Sequence, residues 1–146
     1  MKHIPGVAQA VVLAFGALLL IPATALYARE QGNKKPSLSL KASPAVSFAP
    51  ARIVLVAEVK GGSNDFEDLY CPSVEWEWGD LTTSTAEADC DPYEAGKSEI
   101  RRRFTVEHIF RQQGSQKVFF RLKRGKKEVG AAWVTVAVRP GGSPFE

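Results

Sequence analysis

The chain has 146 residues, 45% of them hydrophobic and 24% charged, with a formal net charge of +3 and only two cysteines. Once an N-terminal leader is set aside, about 120 residues remain, enough for one domain with one core and too few for two. The small net charge conceals a bipolar chain: no Lys or Arg lies between Lys60 and Lys97, whereas basic residues crowd the part that follows.

In chain order, the first element is a leader rather than a part of the fold. Met1-Lys2-His3 is a short basic start, Val7 to Ile21 is almost wholly apolar, and Pro22-Ala23-Thr24-Ala25 ends in a small-x-small pattern. These features define a secretory signal peptide over residues 1–25, with cleavage after Ala25 and Ala28 as the second candidate site. An apolar run of about 15 residues falls short of the roughly 20 needed to cross a hydrocarbon core, so stable membrane insertion after cleavage is not expected. No cysteine lies near the cleavage region, which argues against a lipid anchor. The expected location is the periplasm or the cell exterior.

Residues 26–35 are expected to be a flexible segment, and residues 139–146, rich in Gly and Pro, a flexible tail. The domain proper is expected over residues 36–138. Cys71 and Cys90 both lie within it, and in an oxidising compartment an isolated pair favours a disulfide. Closing a loop of about 20 residues in this way contributes roughly 3 kcal/mol. Two cysteines with no neighbouring histidine make a poor zinc site.

Sheet periodicity dominates this domain. Arg52 to Val59 is rich in branched apolar residues and stops at the turn residues Gly61-Gly62-Ser63-Asn64-Asp65. Val74, Trp76 and Trp78 fall on one face of a strand, with Glu75 and Glu77 on the other. Phe104, Val106 and His108 alternate with Thr105 and Glu107. Lys117 to Leu122 and Ala132 to Val138 form a last pair, joined through Gly125-Lys126-Lys127 and interrupted at Gly130. Short strands with turn signals every ten residues or so, and no helical stretch, predict an all-β antiparallel sandwich of about seven strands.

The run Trp76-Glu77-Trp78-Gly79-Asp80, followed by His108, Phe110 and Gly114, resembles the signature of the PKD (polycystic kidney disease) domain family. The resemblance spans about 90 residues, from Pro44 to Val138, and implies an immunoglobulin-like fold. Two positions depart from it: Leu81 stands where the family has a second Gly, which puts the usual tight turn in question, and Gln113 replaces a Pro before Gly114. The resemblance implies scaffolding roles, with Trp76 in the core, Asp80 bonding turn amides and His108 sharing that corner. It also implies a module that contacts proteins or carbohydrates.

Catalysis is not expected. His108 is the only imidazole outside the leader, and no nucleophile elbow accompanies it. Two clusters remain as candidates for binding, beside the plainer reading that the charged residues are solvated faces paired across the sheet. Asp65, Glu67 and Asp68, drawn towards Asp89 and Asp91 by a Cys71–Cys90 bridge, are candidate calcium ligands, although no Asp-x-Asp-x-Asp-Gly loop is present. Lys117, Arg121, Lys123, Arg124, Lys126 and Lys127 are candidates for an acidic partner such as a polysaccharide or protein. Nucleic acid is not expected of an exported chain without a stacking motif. The sequence thus predicts an exported, non-catalytic interaction module with no obligatory cofactor, the alternative being a calcium-stabilised structural or spacer domain.

Overall fold

A computed structural model describes residues 34–142. The expected signal peptide and its cleavage sites lie outside the described residues, as do most of the expected flexible segment and the last residues of the tail. Among the described residues eight strands run in chain order: β1 (Ser37–Ser43), β2 (Val46–Phe48), β3 (Ala51–Lys60), β4 (Ser73–Glu77), β5 (Thr83–Ala86), β6 (Arg103–Phe110), β7 (Gly114–Arg124) and β8 (Lys127–Arg139). One 3-10 turn, Glu67–Leu69, interrupts the long connection after β3. The strands form two sheets, β1-β3-β6 and β2-β8-β7-β4-β5. This is an immunoglobulin-like sandwich, and every pairing is antiparallel except the short one between β2 and β8.

Alternation builds the core. Ala51, Ile53, Leu55, Ala57 and Val59 of β3 point inward, and Val118, Phe120 and Leu122 of β7 face them from the other sheet. Ile53, Leu55, Phe110, Phe120 and Val136 are fully buried. Each such side chain contributes about 1.5–3 kcal/mol by leaving water. Trp76 and Trp78 are buried on the inner face of the five-stranded sheet while Glu75 and Glu77 face outward, as the alternation of β4 requires.

Gly130 does not interrupt the last hairpin. β8 runs through it, and the irregularity is a register shift beside it, where Leu122 pairs with Gly130 but Lys123 pairs with Glu128. One extra residue on one strand is a bulge, which bends the ladder without ending it. Gly130 lies against the side chains of Leu38 and Leu69, so a small residue suits the inner surface there.

The three-stranded sheet ends at β6, and no described strand covers its outer edge. Residues 87–102 carry no strand. Among the described residues no helix is long and apolar enough to cross a membrane.

Candidate functional site

The corner after β4 gathers the residues that carry the family resemblance. Asp80 Oδ1 accepts from the Thr82 amide at 3.0 Å and from the Thr82 hydroxyl, while Oδ2 lies 2.9 Å from His108 Nε2. The His108 ring stacks on Trp78 at 4.1 Å, nearly parallel, and meets Phe110 edge-on at 4.6 Å. Trp78 in turn stacks on Trp76 and donates from Nε1 to Ser84 Oγ at 3.1 Å. Burial pushes the Asp80 carboxyl upward, but the hydrogen bonds from Thr82 and His108 outweigh it and hold the group below its ordinary value.

Gly79 explains why this corner fits. Its φ is +79°, and a Cβ there would lie 2.7 Å from the Lys117 carbonyl oxygen and 2.8 Å from the Lys117 amide nitrogen. The turn is therefore pressed directly on the backbone of β7. Leu81, the departure from the family pattern, keeps the turn by adopting φ +70° itself with its side chain wholly in solvent. Gly114, at φ +136°, opens β7.

An open cleft of about 300 Å³ adjoins this corner, lined by Asp80, Thr82, His108, Phe110, Arg111 and Gln116. It contains an acid–imidazole pair and one hydroxyl, that of Thr82, which donates to Asp80 rather than to His108.

Cys71 and Cys90 form the expected disulfide, with Cα atoms 6.2 Å apart. The bridge does not assemble the acidic loops into a metal cage. Asp65 accepts from the Gly96 amide at 3.2 Å, Glu67 and Asp68 face Arg124, and Lys127 lies 3.6 Å from Asp68. Asp91 contributes its backbone carbonyl to the Tyr70 hydroxyl. Among the described residues, no group of three or more His, Cys, Asp or Glu side chains is placed to hold a metal ion.

The basic cluster is dispersed for the same reason. Arg121 reaches Glu75, Glu77 and Glu128, Lys123 reaches Glu75, and Arg124 and Lys127 meet the acids near the 3-10 turn. The Lys123 hydrogen bond holds the Glu75 carboxyl below its ordinary range. Arg102, from the basic run before β6, donates to the carbonyls of Val59, Gly61, Gly62 and Ser63 and to the Asn64 side chain. It fastens the turn after β3. The bipolar charge pattern is thus largely a set of pairs across strands and between loops. Of the six candidates on β7 and its hairpin, Lys117 and Lys126 make no carboxylate pair among the described residues.

Lys117 instead belongs to a surface that the sequence reading passed over. On the outer face of the five-stranded sheet, Trp133 of β8 lies directly opposite Phe119 of β7 and is 58% exposed. The Lys117 ammonium sits 4.2 Å from the Trp133 ring centroid and 5.0 Å from that of Phe119. The Arg121 guanidinium also lies over the Phe119 ring, at 4.9 Å. Cation–ring contacts of this kind favour one arrangement of these side chains. Parity was the available signal: Val134, Val136 and Val138 point inward, so Trp133 must point outward.

No family model matches the chain, and no curated protein matches it. Among solved structures it is similar to the CARDB domain of PF1109 from Pyrococcus furiosus, with TM-score 0.50 and 12% identity over 71% of this chain and 94% of that one. It is also similar to the PKD domain of an M14-like peptidase from a Thermoplasmatales archaeon, with TM-score 0.49 and 14% identity over 75% of this chain and 99% of that one. At such identities the likeness speaks to fold alone.

Proposed function

We propose that the chain is an exported, non-catalytic interaction module that meets a protein or carbohydrate partner through the outer face of its five-stranded sheet. The observation that carries this reading is the exposed Trp133, opposite Phe119 and capped by Lys117. A large ring held in solvent beside cations has no part in the core, and aromatic and basic side chains of this kind dominate binding energy at interfaces. The Asp80–His108 pair serves the corner of the fold. Export is supported by the leader pattern and by the disulfide, which suits an oxidising compartment.

Retention of the protein on cell-envelope polysaccharide and protein fractions of its own host tests the reading. Trp133→Ala is expected to lower retention by roughly ten-fold or more while leaving the melting temperature nearly unchanged, because a central aromatic anchor is worth about 2 kcal/mol. Wild-type retention by Trp133→Ala would refute the assignment of this face.

A further inference from the structure

The open edge of β6 has a defined hydrogen-bonding phase. The Val59 amide donates to the Arg102 carbonyl at 2.8 Å, one step beyond the Glu58–Arg103 pairing of the ladder. Residues 59 and 102 are therefore a hydrogen-bonded pair, and antiparallel alternation points the backbones of Phe104, Val106, His108 and Phe110 at β3. The backbones of Arg103, Thr105, Glu107 and Ile109 point to the open side. A second contact agrees: Arg101 Nε donates to the Arg103 carbonyl at 3.0 Å, which that carbonyl can accept only if it faces away from β3.

The side chains on the outer face of this edge read Arg103, Thr105, Glu107, a basic and an acidic residue symmetric about a threonine. Laid antiparallel against itself with Thr105 opposite Thr105, the strand brings Arg103 opposite Glu107 of the second copy, and the reverse. The residues that then exchange backbone hydrogen bonds, Arg103, Thr105 and Glu107, are those whose N–H and C=O groups face away from β3. Centring on Glu107 would set two carboxylates face to face, centring on Val106 would set Arg103 against Ile109, and a one-residue slip would match outer faces to inner ones. Arg103 already meets Glu58 at 2.7 Å, and Glu107 already meets Arg52. The favoured register continues this alternation as Glu58, Arg103, then Glu107 and Arg52 of the second copy.

We propose that β6 is a self-pairing edge: two copies join β6 to β6, antiparallel about Thr105, making one continuous sheet with three strands from each copy. The occupant of the edge is a second copy of this chain, because the charge order of the edge is complementary to itself. Arg101, whose guanidinium lies over Phe104 at 4.9 Å, covers the Arg103 carbonyl in the monomer and must swing aside. It acts as a guard on the edge.

Sedimentation velocity of the full chain over a range of concentrations tests this, with Thr105→Pro as the decisive variant. The Thr105 N–H faces the open side, so proline there leaves the β3 ladder intact and removes only an edge donor. Dimer formation is expected in the wild type, weakened roughly ten-fold or more by Thr105→Pro, and strengthened by Arg101→Ala. Under mild oxidation Thr105→Cys is expected to give a covalent dimer, whereas Glu107→Cys, facing Arg103 of the second copy, is not. A wild type that stays monomeric, association unaffected by Thr105→Pro, or equal cross-linking at both positions would overturn the proposal. Association driven by the N-terminal segment gives the second of these results, since Thr105→Pro leaves that segment unchanged.

Discussion

Gly79 and Gly96 make a matched pair that separates backbone conformation from packing. Their φ values are +79° and +75°, so alanine at either position pays the same left-handed penalty of about 1 kcal/mol. Around Gly96 nothing lies within 4 Å of a Cβ, whereas at Gly79 the Cβ would meet the oxygen and nitrogen of Lys117 at 2.7 and 2.8 Å. Those atoms belong to the central strand β7, which pairs on both sides and cannot yield as a flexible side chain does. Overpacking of this kind adds about 1–3 kcal/mol. Gly79→Ala should then cost about 3 kcal/mol in total, lowering the melting temperature by roughly 12 °C or more, against about 4 °C for Gly96→Ala. Thermal unfolding followed by tryptophan fluorescence reads both, since Trp76 and Trp78 lie beside the corner. Equal losses in the two variants would refute the claim that the corner is pressed on β7.

Leu81→Gly should stabilise the protein by about 1 kcal/mol, because an exposed leucine at φ +70° carries left-handed strain that glycine does not; denaturant unfolding measures it. Asp80 has a depressed carboxyl in the fold, so its contribution is fully present above the unfolded value of about 4 and is lost as pH falls through the lower folded value. Asp80→Asn should accordingly be less stable at neutral pH and show a flatter loss of stability on acidification, followed by urea midpoints from pH 7 down to 2. Reduction of Cys71–Cys90, or Cys71→Ser with Cys90→Ser, should cost about 3 kcal/mol by freeing the loop in the unfolded chain, read as a lowered denaturant midpoint. Calcium should leave the melting temperature unchanged, since Glu67 and Asp68 already face Arg124; a rise of several degrees at millimolar metal would show otherwise.

Much of the fold was legible because alternation is a local signal. Val74, Trp76 and Trp78 against Glu75 and Glu77 give the orientation of β4 without any partner, and the cysteine count points to the bridge. β5 was not legible, since Thr83-Thr85 and Ser84-Ala86 are exposed on both faces and carry no apolar period. β1 was equally quiet: Leu38 and Leu40 alternate with serine and lysine over a span too short to stand out. The dispersal of the charged clusters depends on pairings made across distant parts of the chain, such as Glu67 with Arg124, and no local pattern encodes these. Trp133 was within reach of parity alone. What parity could not supply was its exposure, which depends on whether another part of the chain packs over that face.

Hydroxyl-radical footprinting of the protein, free and on the envelope fraction that retains it, tests the central claim most directly. The account predicts that Trp133 is oxidised readily when free and protected when bound, with Phe119 following it and the buried Trp76 and Trp78 unchanged. Equal oxidation of Trp133 in both states, on a fraction that demonstrably retains the protein, would contradict it and move the partner to another surface.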